Sequence, residues 1–145
     1  MGLHPRRILA LIDFKDGSQE VLDCALQYAE MHGASVHFMH VIERLSFLSG
    51  MDSVPLALSE NQMAEEAKVG LLEFMEKGDR GLEAQPLVRA GKLEEEVKAA
   101  ALELGADLII MSGDRGGSSM RPWGRGTVEK VIQNAGCPVL VLQND

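Results

Sequence analysis

The stretch GDRGGSSMRPWGRGT, residues 113–127, gathers five glycines and three arginines in a chain whose formal net charge is −8. Arg115, Arg121 and Arg125 against the single Asp114 make this segment locally positive. Gly113 and Gly116 are separated by two residues, nine more lead to Gly126, and Thr127 follows where a helical pattern begins. This arrangement suits phosphate. Glycines let backbone amides approach an anion closely, a hydroxyl at a helix start adds a donor, and the free N–H groups of a first helical turn carry partial positive charge. The pattern gains weight from its position after an apolar strand and ahead of a helix.

Other chemistries fit less well. A P-loop needs GxxxxGK followed by Ser or Thr, with the lysine on the phosphates and a carboxylate on magnesium. Neither that lysine nor that spacing occurs, and the Gly91–Lys92 pair in VRAGK leads into Leu93 rather than a hydroxyl. Fast nucleotide hydrolysis is therefore not expected. Asp13, with Asp16 nearby, raises the phospho-acceptor chemistry of a receiver domain, a fold of similar outline. That fold wants a lysine at the end of its last strand, where Gln143 and Asn144 stand. The structural alternative is that Asp13 hydrogen-bonds the loop DFKDGS and that Asp16 or Ser18 caps the next helix, Asp16 being the expected cap. His37 and His40 lie three apart in a strand pattern, so they face opposite sides and cannot share a metal. They read as packing or surface residues, Glu94 to Glu96 as a solvated first helical turn, and the eight scattered methionines as core filler. No catalytic or metal-ligating set is expected.

Composition narrows the classes. At 145 residues the chain reads as one domain spanning residues 1–145, able to bury a core without metals or disulfides. No apolar run approaches the roughly 20 residues of a membrane span, and the short run before Asp13 carries no signal-peptide cleavage pattern. A cytoplasmic protein is expected. Cys24 and Cys137 are far apart in apolar contexts and read as free thiols. The acidic balance argues against nucleic acid or an anionic membrane as the main partner, because both draw on clustered Lys and Arg.

The elements that must position these residues alternate. Strands are expected at ILALI (8–12), ASVHFMHVI (34–42), AQPLVRA (84–90), DLIIMS (107–112) and CPVLVL (137–142). Between them, Val21 to Ala29 recur at helical spacing until Gly33, and Ser59 with Gln62 gives a capping-box start to a helix ending at Gly78. Residues 93–104 and 127–135 supply the remaining helices. Strand–helix alternation predicts an α/β fold: an open, five-stranded, Rossmann-like parallel sheet with helices on both faces. Ligands of such folds bind beyond the carboxyl ends of the strands where strand order reverses. Asp13 and Gly113 fall at that edge. The apolar last strand is expected at a sheet border, where its backbone invites a second chain.

From RRILALID through HVIE and VRAGKLEEEV to the segment from DLIIMS to CPVLVL, the chain resembles the universal stress protein family over nearly its whole length. Its nucleotide-binding members carry GxxG, nine residues, then Gly and Ser or Thr, which Gly113, Gly116, Gly126 and Thr127 reproduce. The resemblance implies the adenine nucleotide alpha hydrolase-like form of the fold. It implies that the glycines, Arg115, Thr127 and Val128 hold the phosphates and ribose of ATP, with or without Mg2+, AMP being a further candidate. Asp13, Val41 and Met111 would border the adenine. It also implies a homodimer through the last strand, and a nucleotide-gated regulator whose ATP hydrolysis is slow at most. Three features depart from the family pattern: Ser112 stands between Met111 and the first glycine, Asp114 adds a negative charge, and Pro122 breaks a segment that is usually helical. The alternative reading is an interaction module of the same fold without nucleotide, acting through its dimer surface or the loop from Glu43 to Leu58.

Overall fold

The computed structural model describes residues 4–43, 53–78, 83–113 and 126–143, with side chains from residue 61 onward in the second of these segments. Five strands alternate with four helices: β1 (Arg7–Leu11), α1 (Ser18–His32), β2 (Ser35–Ile42), α2 (Ser53–Glu76), β3 (Ala84–Ala90), α3 (Leu93–Leu104), β4 (Leu108–Ser112), α4 (Thr127–Asn134) and β5 (Val139–Leu142). The strands form one sheet in the order β3-β2-β1-β4-β5, and every pairing is parallel. The expected α/β architecture is present.

The chain first builds outward from β1 through β2 to β3, then returns to β1's other side and continues with β4 and β5. With right-handed crossovers, reversing the direction of growth moves the helices to the opposite face. Two separate cores follow. Ile8, Ala10, Val36, Phe38, Leu108 and Ile110 pack with α1 and with Leu71 of α2. Leu9, Leu11, Met39, Val41, Ile109 and Met111, the alternate residues of the same strands, pack with α3 and α4. Continuous apolar runs such as ILALI arise because both faces of the central strands are covered.

Side chains fix the register at the amino edge. The carboxylate of Asp107 accepts hydrogen bonds from the backbone N–H groups of Arg6 and Arg7 at 3.0–3.1 Å, drawing the start of β1 against the start of β4. The outermost strands are β3 and β5. In β3 the N–H of Gly91 donates to Ile42 O and the carbonyl of Glu83 accepts from Val36 N, so odd-numbered residues address β2 while Pro86, opposite Phe38, turns its nitrogen outward.

Two expected boundaries are corrected. Helix α2 begins at Ser53, six residues before Ser59, with Pro55 inside its first turn, where no N–H is needed; the Ser59–Gln62 spacing lies within the helix. The N-cap of α1 is Gly17, with no side-chain cap hydrogen bond, rather than Asp16. Cys24 and Cys137 are free, half-buried thiols, as expected, and burial pushes both above the ordinary thiol value.

Phe38 is the largest fully buried side chain among the described residues. Truncating it leaves a cavity at the centre of the α1/α2 face, so Phe38→Ala should lose about 3–5 kcal/mol of unfolding free energy. Met31→Ala, at a side chain 73% exposed, should stay within about 0.5 kcal/mol of wild type in the same urea titration.

Candidate functional site at the carboxyl edge of the sheet

Each crossover helix starts at the carboxyl edge of the sheet, so the N-termini of the helices and the ends of the strands share that edge. Gly113 is buried there directly after β4 and donates its N–H to Leu142 O at 2.7 Å. A Cβ at this position would lie 3.3 Å from both Leu142 O and Val141 Cγ1, so glycine lets the end of β4 approach β5 closely. Gly126 is the N-cap of α4 with φ +72°, a left-handed conformation that side chains other than glycine rarely adopt. Its carbonyl accepts from Lys130 N at 3.1 Å. Thr127, next in line, is 4% exposed. Val128 packs on the core that contains Val41 and Met111. Val41, Met111 and Val128 thus belong to the same α3/α4-side core, with Val41 on β2 and Met111 on β4 flanking β1. Arg115 and Gly116 lie outside the described residues, as do Asp114, Pro122 and the arginines at 121 and 125.

Asp13, which ends the apolar run of β1, is committed to the turn into α1. Its Oδ1 accepts from Lys15 N and from the buried Ser18 Oγ, both at 2.9 Å. Asp13 therefore hydrogen-bonds the loop DFKDGS, one of its two expected roles. Two further clamps escaped the sequence reading. The Nδ1–H of His40 donates to Ile12 O at 2.7 Å, joining the ends of β2 and β1, and its ring lies 4.7 Å from that of Phe14. Glu43 Oε1 accepts from Leu93 N at 3.0 Å, capping α3 from 50 residues away. The signal for His40 was present in its parity with Val36 and Phe38, which places it on the α1/α2 face opposite His37. For Glu43 only the tertiary fold supplies a signal. Glu96, expected in a solvated turn, instead pairs with Arg89 of β3 at 3.6 Å, and Glu103 binds the same guanidinium.

Residues 4–143 match the model of the Universal stress protein family. The chain belongs to the universal stress protein family. Universal stress protein A homolog 1 of Coxiella burnetii is 30% identical over 142 residues, 97% of this chain and 97% of its own. A universal stress protein of Methanocaldococcus jannaschii is 27% identical over 160 residues, covering 99% of this chain and 98% of that one. The solved structure of that archaeal protein has a TM-score of 0.79 at 23% identity, covering 99% of each chain. A universal stress protein solved in complex with cAMP has a TM-score of 0.64 at 15% identity, covering 97% of this chain and 98% of its own. The fold derived above is thus that of other universal stress proteins.

Among the described residues of this universal stress protein, no helix is long and apolar enough to cross a membrane. At the sheet edge, burial pushes His40 below the ordinary imidazole value, against the smaller opposing pulls of the Ile12 carbonyl and the Asp13 carboxylate. The unfolded chain protonates His40 at its ordinary 6.5, whereas the folded chain resists protonation until lower pH. The stability tied to neutral His40 is complete above that ordinary value and is lost as pH falls from it through the folded value. Urea midpoints should therefore fall more between about pH 7.5 and about pH 5.5 in wild type than in His40→Gln. Equal falls would show that His40 does not contribute to the pH response.

Proposed function

We propose that this universal stress protein binds an adenine nucleotide at the carboxyl edge between β1 and β4 and works as a nucleotide-dependent regulator in the stress response. The observation that carries this reading is the left-handed Gly126 at the N-cap of α4, directly ahead of buried Thr127. There the N–H groups of a helix start meet the edge where strand order reverses. In this reading Gly113, Arg115, Gly116, Gly126, Thr127 and Val128 hold phosphates and ribose, and Asp13, Val41 and Met111 border the adenine. ATP, with or without Mg2+, is the favoured ligand and AMP the next. The relative solved with cAMP supports an adenine nucleotide as the class of ligand.

No lysine-and-hydroxyl pair of the P-loop kind accompanies the glycines, so turnover is slow at most and the nucleotide acts by biasing loop positions. The whole chain works as one cytoplasmic domain. A second copy adds at β5, whose outward-facing N–H groups lie at 139 and 141, because the even-numbered residues address β4 through Pro138 O and Leu142 O. Light scattering at tens of micromolar should give twice the mass of one chain, and a monomer would remove the dimer.

Titration calorimetry of nucleotide-stripped protein should give ATP binding that weakens at least tenfold for AMP. Gly126→Val, strained at φ +72°, should lose it while keeping the far-ultraviolet circular dichroism of wild type. Heat from no adenine nucleotide would overturn the reading and leave an interaction module of the same fold.

A further inference from the structure

On the α1/α2 face, a cleft of about 540 Å3 opens between α2 and the turn that follows β1. Its walls are aromatic. Phe14, Phe74 and His40 all line it, with Phe14 4.7 Å from the His40 ring and 6.4 Å, edge to face, from Phe74. Its floor is one stripe of α2, where Ala67 and Gly70 leave room that larger residues would fill. A Cβ at Gly70 would meet only Phe14 Cζ, at 3.9 Å.

Phe14 is held in a conformation that a bulky side chain avoids. It is the one non-glycine residue with positive φ, +63°, among the described residues, and it remains 41% exposed. The Asp13 bonds to Lys15 N and Ser18 Oγ over-determine the turn that presents it. An apolar ring kept at the surface in a strained backbone is a feature of binding walls rather than of packing.

Charge selects the ligand. Glu66 and Glu73 line the cleft against the single Lys77, so acid is in excess. Lys77 Nζ already sits 5.9 Å from the centre of the Phe74 ring, so an aromatic face here holds a cation. His40 is uncharged at neutral pH, because burial disfavours its charged form, and adds no repulsion.

We propose that this cleft is a second ligand site, taking a small organic ammonium whose apolar body lies against Phe14 and Phe74 and whose charge is met by Glu66 and Glu73. An anion of the same shape is rejected by the same two carboxylates. The proposal is independent of the nucleotide: none of the described nucleotide candidates lines this cleft, and Val41, Met111 and Val128 pack on the α3/α4 side.

The test uses two probes of matched shape and opposite charge, phenethylammonium and 3-phenylpropionate, titrated into 15N-labelled full-length protein. Phenethylammonium should shift the amide signals of Phe14, Gly70 and Phe74 in a saturable way, and 3-phenylpropionate should leave them in place. The double variant Glu66→Gln, Glu73→Gln should weaken the ammonium at least fivefold. Gly70→Leu should abolish its binding, and Gly126→Val should leave it unchanged. Equal response to both probes, an undiminished affinity in the double glutamine variant, or no saturable shift up to millimolar probe would each overturn the proposal.

Discussion

Strands β1 and β4 lie side by side although 100 residues separate Ile8 from its partner Leu108, and most of what the molecule can do depends on that adjacency. Crossovers between parallel strands are right-handed, so a chain that returns to the far side of its first strand must change the face on which its helices pack. That change divides the interior into two cores and leaves a crevice at the edge where the two halves part. Asp107 holds the arrangement from the opposite edge by binding two consecutive N–H groups of the β1 start. With the register fixed there, the carboxyl ends of β1 and β4 follow.

The carboxyl edge is knit by bonds of one kind, each joining a strand end to a neighbour. Asp13 ties β1 to α1, His40 ties β2 to β1, Glu43 ties β2 to α3, and Gly113 ties β4 to β5. Each also meets a backbone or hydroxyl group that would otherwise be left at an element's end. The turn after β1 has two sides: Asp13 belongs to the network of strand ends, while Phe14 one residue later stands in the aromatic cleft. The rigidity of the first supports the strained backbone of the second.

Elements bounded by local punctuation were legible in the sequence. The third strand and third helix were expected at residues 84–90 and 93–104, and the structure has them there, because Gly91 and Gly105 bracket the helix with conformations few other residues take. The parallel sheet was legible because strands alternate with helices and the runs ILALI and LIIM are apolar without interruption. The start of α2 was not, since Ser59 and Gln62 offer a local cap that loses to continuing the helix back to Ser53, with Pro55 acceptable in the first turn. At the candidate site, a glycine directly ahead of a helix start was legible from the spacing, and the structure has Gly126 left-handed before buried Thr127; the nucleotide contacts expected of Val41, Met111 and Val128 stay part of the proposal. Contacts between distant segments were not legible: the Glu43 bond to Leu93 and the Phe14–His40 pair arise only once the sheet forms.

The proline in the outer strand β3 has a wider effect than its own missing bond. Pro86 presents no N–H at the outward side of its strand, so a further strand laid along that border would meet a gap in the ladder. The border formed by β5 carries no proline within Val139–Leu142. The sheet is therefore polar in the sense of a one-ended connector. Pro86 opposes strand addition at β3 and no proline opposes it at β5, so in the proposed pair joined through β5 the two borders left open would both be β3 borders, and the pair would not run on into a ribbon.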